Sequence, residues 1–158
     1  MSVEGHFYGF MNTPLGDLKV VANEEAVLEV VFVDNQNEDG GNANELVNKA
    51  LQQLTEYFKG QRQVFDLPLG ASGTEFRQLV WQQLCEVPFG QTASYSDIAT
   101  AIGKDKAVRA VGAANGANPI AIVVPCHRVI GKNGTLTGYA GGLNRKQWLL
   151  EFELSSTH

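Results

Sequence analysis

The tetrapeptide from Pro125 to Arg128 contains the residue types of a thiol nucleophile site. Cys126 is followed at once by an imidazole, His127, and a guanidinium, Arg128. The thiolate is the reactive form of cysteine, and a neighbouring cation or histidine base lowers the free energy needed to form it. Adjacent residues often point apart, however, and free cysteines are among the most buried residues of proteins. The tetrapeptide alone leaves two interpretations open, a nucleophile and a structural cysteine.

The other candidate ligands and nucleophiles give weaker signals. Cys85 lies on an amphipathic segment and is predicted to be a small core residue. His6, His127 and His158 are scattered along the chain and match no zinc spacing with the two cysteines. No phosphate-binding or dinucleotide-binding glycine motif is present. We therefore expect no metal and no cofactor. Two cysteines form no disulfide framework, which indicates a reducing, cytoplasmic compartment.

The charge is distributed unevenly along the chain. The net charge is −5, but residues 1–71 carry four basic and eleven acidic groups, whereas residues 72–158 carry eight basic and six acidic groups. A surface for a polyanion is therefore expected in the second half. Its balance of +2 supports only weak, salt-sensitive binding, and two differently charged halves without such a partner remain an equal alternative. We expect neither a secretory signal nor a membrane span.

Residues 1–71 are predicted to form an α/β support domain. Three segments rich in β-branched and aromatic residues, with turn residues between them, indicate an antiparallel meander. They are Phe7–Met11, Gly16–Ala22 and Ala26–Val33. Apolar residues at helical spacing between Leu46 and Phe58 then predict one covering helix that ends at Gly60. Residues 61–73 lack periodicity and are predicted to be a linker.

Residues 72–158 are predicted to form a mostly helical domain. Thr74 is the expected N-cap of a helix that ends before Pro88, with Phe76, Leu79, Val80, Leu84 and Val87 on its buried face. Helices over Ser96–Ile102 and Asp105–Ala114, joined by three residues, match the helix-turn-helix pattern. Asn133-Gly134 predicts a hairpin over Ile130–Leu136, which would make the motif winged. A last helix is expected over Leu143–Leu154, with Trp148, Leu149 and Phe152 packed inward. The fold class is α+β.

An ordered set of motifs in the second half resembles the O6-alkylguanine-DNA alkyltransferase family. The resemblance covers residues 72–154 closely, and the first half only in its general layout. The motifs are Thr74-Glu-Phe, Val80-Trp, Pro88-Phe-Gly90, Ser94-Tyr95, Ala107-Val-Arg-Ala-Val-Gly112, Asn118-Pro119, Pro125-Cys-His-Arg-Val129, Gly138-Tyr139-Ala-Gly-Gly142 and Lys146-Gln-Trp-Leu-Leu150. Pro-Cys-His-Arg together with Arg-Ala-Val-Gly and Tyr-x-Gly-Gly, at these spacings, is highly specific.

The resemblance implies single-turnover DNA repair, in which Cys126 takes the alkyl group from O6 of guanine. His127, oriented by Glu153, would remove the thiol proton through a bound water. Tyr95 would donate a proton to the guanine leaving group, and Asn118 would tie the recognition helix to the active-site turn. In the base pocket, Tyr139 would pack on the base. Amides around Tyr139 and Ala140 would recognise O6, and the carbonyls of Cys126 and Val129 would accept from the guanine amino group.

The resemblance also implies contact with double-stranded DNA from the minor groove, with the damaged base swung out of the stack. Arg109 would fill the gap left in the stack. Small residues would let the recognition helix approach the groove walls closely, and Arg128 would add a cationic contact. These residues are Ala107, Ala110, Gly112, Ala113 and Ala114. Asn115 lies on this helix at a position where family members vary. The first half lacks the Cys and His cluster with which some relatives hold zinc. A monomer is expected.

Three other functions remain as alternatives. A non-enzymatic protein that binds alkylguanine and only flags it for another pathway is the strongest, but such proteins replace the motif cysteine, and Cys126 is present. A cysteine hydrolase would need an oxyanion hole and turnover, for which the sequence gives no sign. A transcriptional regulator built on the helix-turn-helix would need a partner domain, and the chain is accounted for by the two predicted domains.

Overall fold

A computed structural model describes residues 5–33, 41–136 and 139–156. The chain divides into two compact units, Met1–Ser72 and Gly73–His158. None of the helices in these ranges has the length and apolar content needed to cross a bilayer. Of the motif residues quoted above, Gly138 lies outside the described residues.

The first unit contains the predicted antiparallel meander. Strands β1 (Phe7–Thr13), β2 (Gly16–Ala22) and β3 (Val27–Val33) pair in the order β1-β2-β3. Alternate side chains of β2 are fully buried, as expected for a sheet with one covered face. The covering helix, α1 (Glu45–Phe58), begins at Asn44, whose side chain accepts from the Val47 N–H. The α+β fold class is confirmed in this unit.

The predicted linker does not run free of the first unit. Val27 N–H donates to the Pro68 carbonyl at 2.8 Å, and Gly70 N–H donates to the Val27 carbonyl at 2.8 Å. The Gln53 side chain exchanges two further hydrogen bonds with the backbone of Asp66. Because the backbone polar groups find partners on β3 and α1, the segment lies along the unit instead of spanning solvent.

The second unit is mostly helical, and its helix starts follow the capping signals in the sequence. Helix α2 (Glu75–Leu84) is capped by Thr74, and α3 (Tyr95–Ala101) by Ser94 in a capping box with Asp97. Helix α4 (Val108–Gly116) has no side-chain cap and starts three residues later than predicted. Lys104 and Ala107 instead form backbone turns, so six residues and not three join α3 to α4.

The predicted hairpin around Asn133-Gly134 is reduced to a turn. Gly131 N–H donates to the Thr135 carbonyl at 2.8 Å, and residues 131–136 contain no paired strands. The preceding strand β5 (Val129–Ile130) pairs in parallel with β4 (Ala93–Ser94). Of the predicted hairpin, only Ile130 therefore lies in a strand, and the described part of the chain shows no wing.

Several burial predictions for the helices are wrong. On α2, Leu79 is 39% exposed, and Cys85, the residue that ends the helix, is exposed and not a core residue. The last helix, α5 (Leu143–Ser156), buries Lys146, Leu149 and Glu153. Trp148 and Phe152 are half-buried and stack on each other, with ring centroids 5.0 Å apart. Two charged side chains thus occupy the inner face where aromatic residues were expected.

Candidate active site

Buried polar side chains of the second unit gather around Cys126, which is itself only 5% exposed. Cys126 begins a short 3₁₀ turn, Cys126–Arg128, that leads into β5. Burial of so many polar groups is expensive unless they pair with one another, so their grouping here is informative. We call this set the polar layer; it consists of Asn115, Asn118, His127, Arg128, Lys146 and Glu153.

A strained turn leads into Cys126. Ile122 has φ of 72°, a region that β-branched residues rarely occupy. Around it, the Val123 N–H bonds to the Ala121 carbonyl at 2.8 Å, which closes a three-residue turn. The Asn118 side chain holds this turn. It donates to the Val124 carbonyl at 2.8 Å and accepts from the Ile120 N–H at 3.0 Å. Asn118 thus fixes the backbone that delivers the cysteine.

Glu153 connects α5 to the cysteine turn through His127 and Arg128. Its Oε2 lies 2.6 Å from His127 Nε2 and 3.0 Å from Arg128 Nη2, and its Oε1 lies 2.7 Å from Arg128 Nε. The Gly90 N–H also donates to Oε1 at 3.2 Å. Each carboxylate oxygen therefore receives two donors, and the buried charge is fully satisfied.

The protonation states of this cluster follow from its contacts. Burial opposes ionisation of Glu153, but the hydrogen bonds and charges of His127 and Arg128 outweigh it and lower the pKa of Glu153 to about 2. Burial lowers the pKa of His127, although Glu153 acts in the opposite direction. At neutral pH the pair is a neutral imidazole beside a carboxylate. Since an ionised carboxylate only accepts hydrogen bonds, the proton of His127 resides on Nε2.

This tautomer leaves His127 Nδ1 with a free lone pair. Nδ1 is buried and has no hydrogen-bond partner among the described residues. A neutral imidazole with one nitrogen held by a carboxylate and the other bare is arranged to accept a proton. The neighbouring residue, Cys126, carries such a proton on its thiol.

The thiol of Cys126 requires help to ionise. Burial raises the pKa of Cys126 above its ordinary value, whereas the Asn118 amide and the positive charge of Lys146 lower it. Lys146 is fully buried, and its Nζ lies 5.9 Å from the centroid of the Tyr95 ring. Lys146 therefore places a cation in the same layer as the thiol and the Tyr95 phenol.

The residues predicted for the base pocket are only partly gathered by the structure. Val129 is fully buried and donates its N–H to the Cys126 carbonyl. Tyr139 is buried, and its hydroxyl has no partner among the described residues. Burial raises the pKa of Tyr139, so this hydroxyl is neutral. Ala140 is exposed. Tyr95 begins α3 and is half-buried.

Three of the residues predicted to contact DNA lie on an exposed face of α4. Arg109, Ala110 and Ala113 are exposed, and we call them the outer face of α4. Gly112 is half-buried, and the position that a Cβ would take lies 3.9 Å from the Tyr95 ring. A methyl group there would make an ordinary van der Waals contact with the ring, so the packing does not itself require glycine. Ala107 precedes the helix and is half-buried.

Two of the predicted DNA contacts are wrong. Ala114 is 2% exposed, and its carbonyl accepts from the Trp81 indole at 2.8 Å, so it faces the core. Arg128 is 5% exposed and binds Glu153, and its Nη1 donates to the Val87 carbonyl at 2.8 Å. Three of the five N–H donors of this buried guanidinium are used inside the unit, two of them on Glu153. Arg128 therefore anchors Glu153 and is not exposed to a phosphate group.

Sequence reasoning missed two members of the polar layer. Lys146 was quoted only as part of a motif, and Asn115 only as a variable position. Asn115 is 1% exposed, and its Nδ2 donates to the Cys126 carbonyl at 3.3 Å. Neither residue gave a local signal, because burial of a lysine or an asparagine depends on partners far away in the chain. Among the described residues, no three His, Cys, Asp or Glu side chains cluster as metal ligands would.

Sequence comparisons match both units of the chain. A family model described as 6-O-methylguanine DNA methyltransferase, ribonuclease-like domain, matches residues 6–71, and one described as the DNA binding domain of the same proteins matches residues 75–155. The chain belongs to this methyltransferase family. A methylated-DNA–protein-cysteine methyltransferase from Methanosarcina barkeri is 44% identical over 152 residues, covering 93% of this chain and 96% of its own.

Solved structures of the family agree with this fold. The O6-methylguanine methyltransferase of Mycobacterium tuberculosis superimposes with a TM-score of 0.86 at 42% identity, over 96% of this chain and 94% of its own. A structure of the Mycobacterium tuberculosis protein in complex with DNA superimposes with a TM-score of 0.85 at 43% identity, over 94% of this chain and 93% of its own. The α+β architecture of the chain is thus that of the methyltransferase family.

Proposed function

We propose that this protein repairs alkylated DNA by direct reversal, moving the alkyl group from O6 of guanine to Cys126. The observation that carries the proposal is a buried thiol followed in the chain by a buried, neutral imidazole: Glu153 holds Nε2 of this imidazole at 2.6 Å, and Nδ1 has no partner within the described part of the chain. The family supports it, because the relatives named above are methylated-DNA–protein-cysteine methyltransferases, and one such structure is a complex with DNA.

The reaction is a displacement at the alkyl carbon. The thiol proton of Cys126 passes through a water molecule to His127 Nδ1, and Glu153 stabilises the imidazolium that forms. The sulfur attacks the alkyl carbon, so that an S–C bond forms and the C–O6 bond breaks. The electron pair of that bond leaves with guanine, and Tyr95 donates a proton to the resulting anion.

The product explains why each molecule acts once. A thioether is not hydrolysed under ordinary conditions, because a thiolate is a poor leaving group from an alkyl carbon. Cys126 is therefore consumed as a reagent. A protein that only binds and flags the lesion would not need the bare His127 Nδ1 next to a cysteine, so this alternative is not favoured.

The outer face of α4 is the proposed DNA contact. Ala110 and Ala113 allow the helix to lie close to the walls of the minor groove, and Arg109 takes the place of the extruded nucleotide in the stack. Minor-groove readout is degenerate, so little sequence preference follows. In the pocket, Tyr139 packs on the flipped base, and the backbone at Ala140 and Val129 contributes hydrogen bonds. The second unit thus binds DNA and transfers the alkyl group, and the first unit supports it.

The protein is proposed to act as a monomer in the cytoplasm, where a thiol stays reduced. Stoichiometry tests the proposal. Duplex DNA with O6-[methyl-³H]methylguanine, in excess over protein, is expected to leave one methyl group per protein molecule and then no further transfer. Continued release of methanol, or binding without transfer, would contradict it. Glu151→Gln, on the exposed side of α5, serves as the active control.

A further inference from the structure

The Cys126 carbonyl oxygen already accepts two hydrogen bonds. One comes from the Val129 N–H at the end of the 3₁₀ turn, and the other from Asn115 Nδ2 at 3.3 Å. A carbonyl oxygen has two lone pairs, so both acceptor positions are used within the protein itself. A third donor would have to share or displace one of these two.

Asn115 is held in one orientation. Turning its amide over would place Oδ1 against the Cys126 carbonyl oxygen, two acceptors without a proton between them. In the observed orientation, Oδ1 is buried and has no partner among the described residues. An unsatisfied buried acceptor costs free energy. Compared with an apolar residue of similar size, Asn115 therefore offers one advantage, the hydrogen bond to the Cys126 carbonyl.

The Cys126 carbonyl lies where the substrate base must come. Transfer brings the alkyl carbon on O6 into contact with the Cys126 sulfur, and the carbonyl belongs to the same residue. The Watson–Crick edge of guanine carries both O6 and the 2-amino group. A base positioned for transfer therefore brings its 2-amino group, if it has one, toward an acceptor that Asn115 already occupies.

We propose that Asn115 determines which alkylated bases the pocket accepts. By taking the second acceptor position of the Cys126 carbonyl, it removes a hydrogen bond that would favour bases with the 2-amino group, and so brings the repair rates of O6-alkylated purines and O4-alkylated pyrimidines that lack this group closer to that of O6-alkylguanine. Without Asn115, the carbonyl would keep the Val129 N–H, and its second acceptor position would be open to a base that carries the amino group but not to one that lacks it. Sites that hydrogen-bond a substrate group discriminate against the analogue that lacks it. This inference rests on the proposed alkyl transfer to Cys126.

The test compares two substrates that differ only in the 2-amino group. Duplexes containing O6-methylguanine or O6-methylhypoxanthine are reacted with the wild-type protein, Asn115→Leu and Asn115→Ala, and methylation of the Cys126 peptide is followed by mass spectrometry. The quantity compared is the ratio of the two second-order rate constants. An inactive fraction of a variant lowers both rate constants equally and so cancels in this ratio. The two bases differ in the free energy needed to flip them, but this difference is the same for every variant and does not affect the comparison.

Both Asn115 variants are expected to raise the ratio in favour of O6-methylguanine by about tenfold, which is ~1.4 kcal/mol. The matched control is Asn118→Leu, which removes a buried amide from the same turn but leaves the Cys126 carbonyl untouched. Its ratio is expected to stay at the wild-type value, even if both rates fall.

An unchanged ratio in the Asn115 variants, or an equal rise in Asn118→Leu, would overturn the role of Asn115 while leaving alkyl transfer intact. Failure of the wild-type protein to methylate Cys126 from O6-methylguanine would instead overturn the proposed function itself. A substrate containing O4-methylthymine extends the test to pyrimidines, and its rate relative to O6-methylguanine is expected to fall in both Asn115 variants.

Discussion

Within the second unit, the polar layer around Cys126 keeps charged groups out of water, whereas the outer face of α4 exposes two alanines and one arginine to it. Glu153 alone receives four hydrogen bonds, and His127 is fully buried. The outer face forms no such network, and Arg109 is exposed. Proton transfer benefits from groups fixed in advance in a low dielectric, whereas groove binding needs small, accessible side chains. The two regions should therefore respond differently to mutation.

The largest expected effect is on transfer after Glu153→Gln. Without the carboxylate, His127 loses its orientation and the charge that stabilises its protonated form, so the rate should fall about 10²- to 10⁴-fold. The loss should be similar for O6-methylguanine in duplex DNA and for free O6-benzylguanine, because the chemistry is shared. Single-turnover kinetics with both substrates measure it. A loss confined to duplex DNA would assign Glu153 to DNA binding.

The same substitution should destabilise the protein in a pH-dependent way. The pKa of Glu153 falls from an ordinary 4.5 to about 2 in the folded protein, which corresponds to on the order of 3 kcal/mol. A lowered carboxyl pKa stabilises the fold above pH 4.5, and this contribution is lost as the pH falls toward 2. Urea unfolding should show the difference between wild type and Glu153→Gln at pH 7, narrowing below pH 4.5.

Glu151→Gln is the control for stability as well. Glu151 is exposed on the same helix and accepts a hydrogen bond from the Gln147 side chain at 2.9 Å, so its substitution should change stability by less than about 0.5 kcal/mol. A difference in unfolding free energy between wild type and Glu153→Gln that stays the same from pH 7 down to about pH 2.5 would mean that the charge of Glu153 is not what stabilises the layer.

Arg109→Ala should affect DNA binding by the outer face of α4 without affecting the chemistry of the polar layer. Extruding a base costs a few kcal/mol, part of which Arg109 is proposed to offset, so repair of duplex DNA should fall about 10- to 100-fold. Reaction with free O6-benzylguanine and thermal stability should stay at wild-type values. Arg77→Ala, which removes an exposed arginine from α2, is the matched control. An equal fall in the reaction rate with both substrates would mean that Arg109 has no role in base flipping.

The smallest expected effect is the loss of stability that alkylation of Cys126 causes in the protein. A methyl group on Cys126 adds a carbon to a site that is only 5% exposed, and overpacking of this kind costs roughly 1–3 kcal/mol. Differential scanning calorimetry of the protein before and after one equivalent of methylated DNA should show a lower melting temperature for the product. An unchanged melting temperature would mean that the pocket has room for the alkyl group.

Local signals in the sequence predicted most of the secondary structure. The β-branched and aromatic content of the strands, the cap Thr74 and the helical spacing in α1 act over a few residues, so they are readable without the fold. The hairpin predicted around Asn133-Gly134 is only a turn, and the strand before it pairs instead with β4, a partner more than thirty residues away that no local signal indicates. The predicted linker is irregular as expected, but the sequence did not indicate that β3 and α1 bind the backbone of residues 66–70.

The candidate site was predictable only where motifs carried the information. His127 and Glu153 are 26 positions apart, and no periodicity connects them; their proximity was expected from the family resemblance alone. Arg128 and Lys146 are normally exposed residue types, so their burial was missed, as was the exposure of Cys85. Burial of charge depends on the partners that the complete fold supplies, and these cannot be read from neighbouring residues.

The most direct measurement of the central claim is the mass of the Cys126 peptide after reaction with O6-methylguanine DNA. The account predicts that this peptide gains one methyl group in place of a proton, and that Cys126→Ser, which retains the fold but lacks the thiol, gains none. An unmodified Cys126 peptide in protein that has repaired its DNA, or a methyl group on the exposed Cys85, would contradict it.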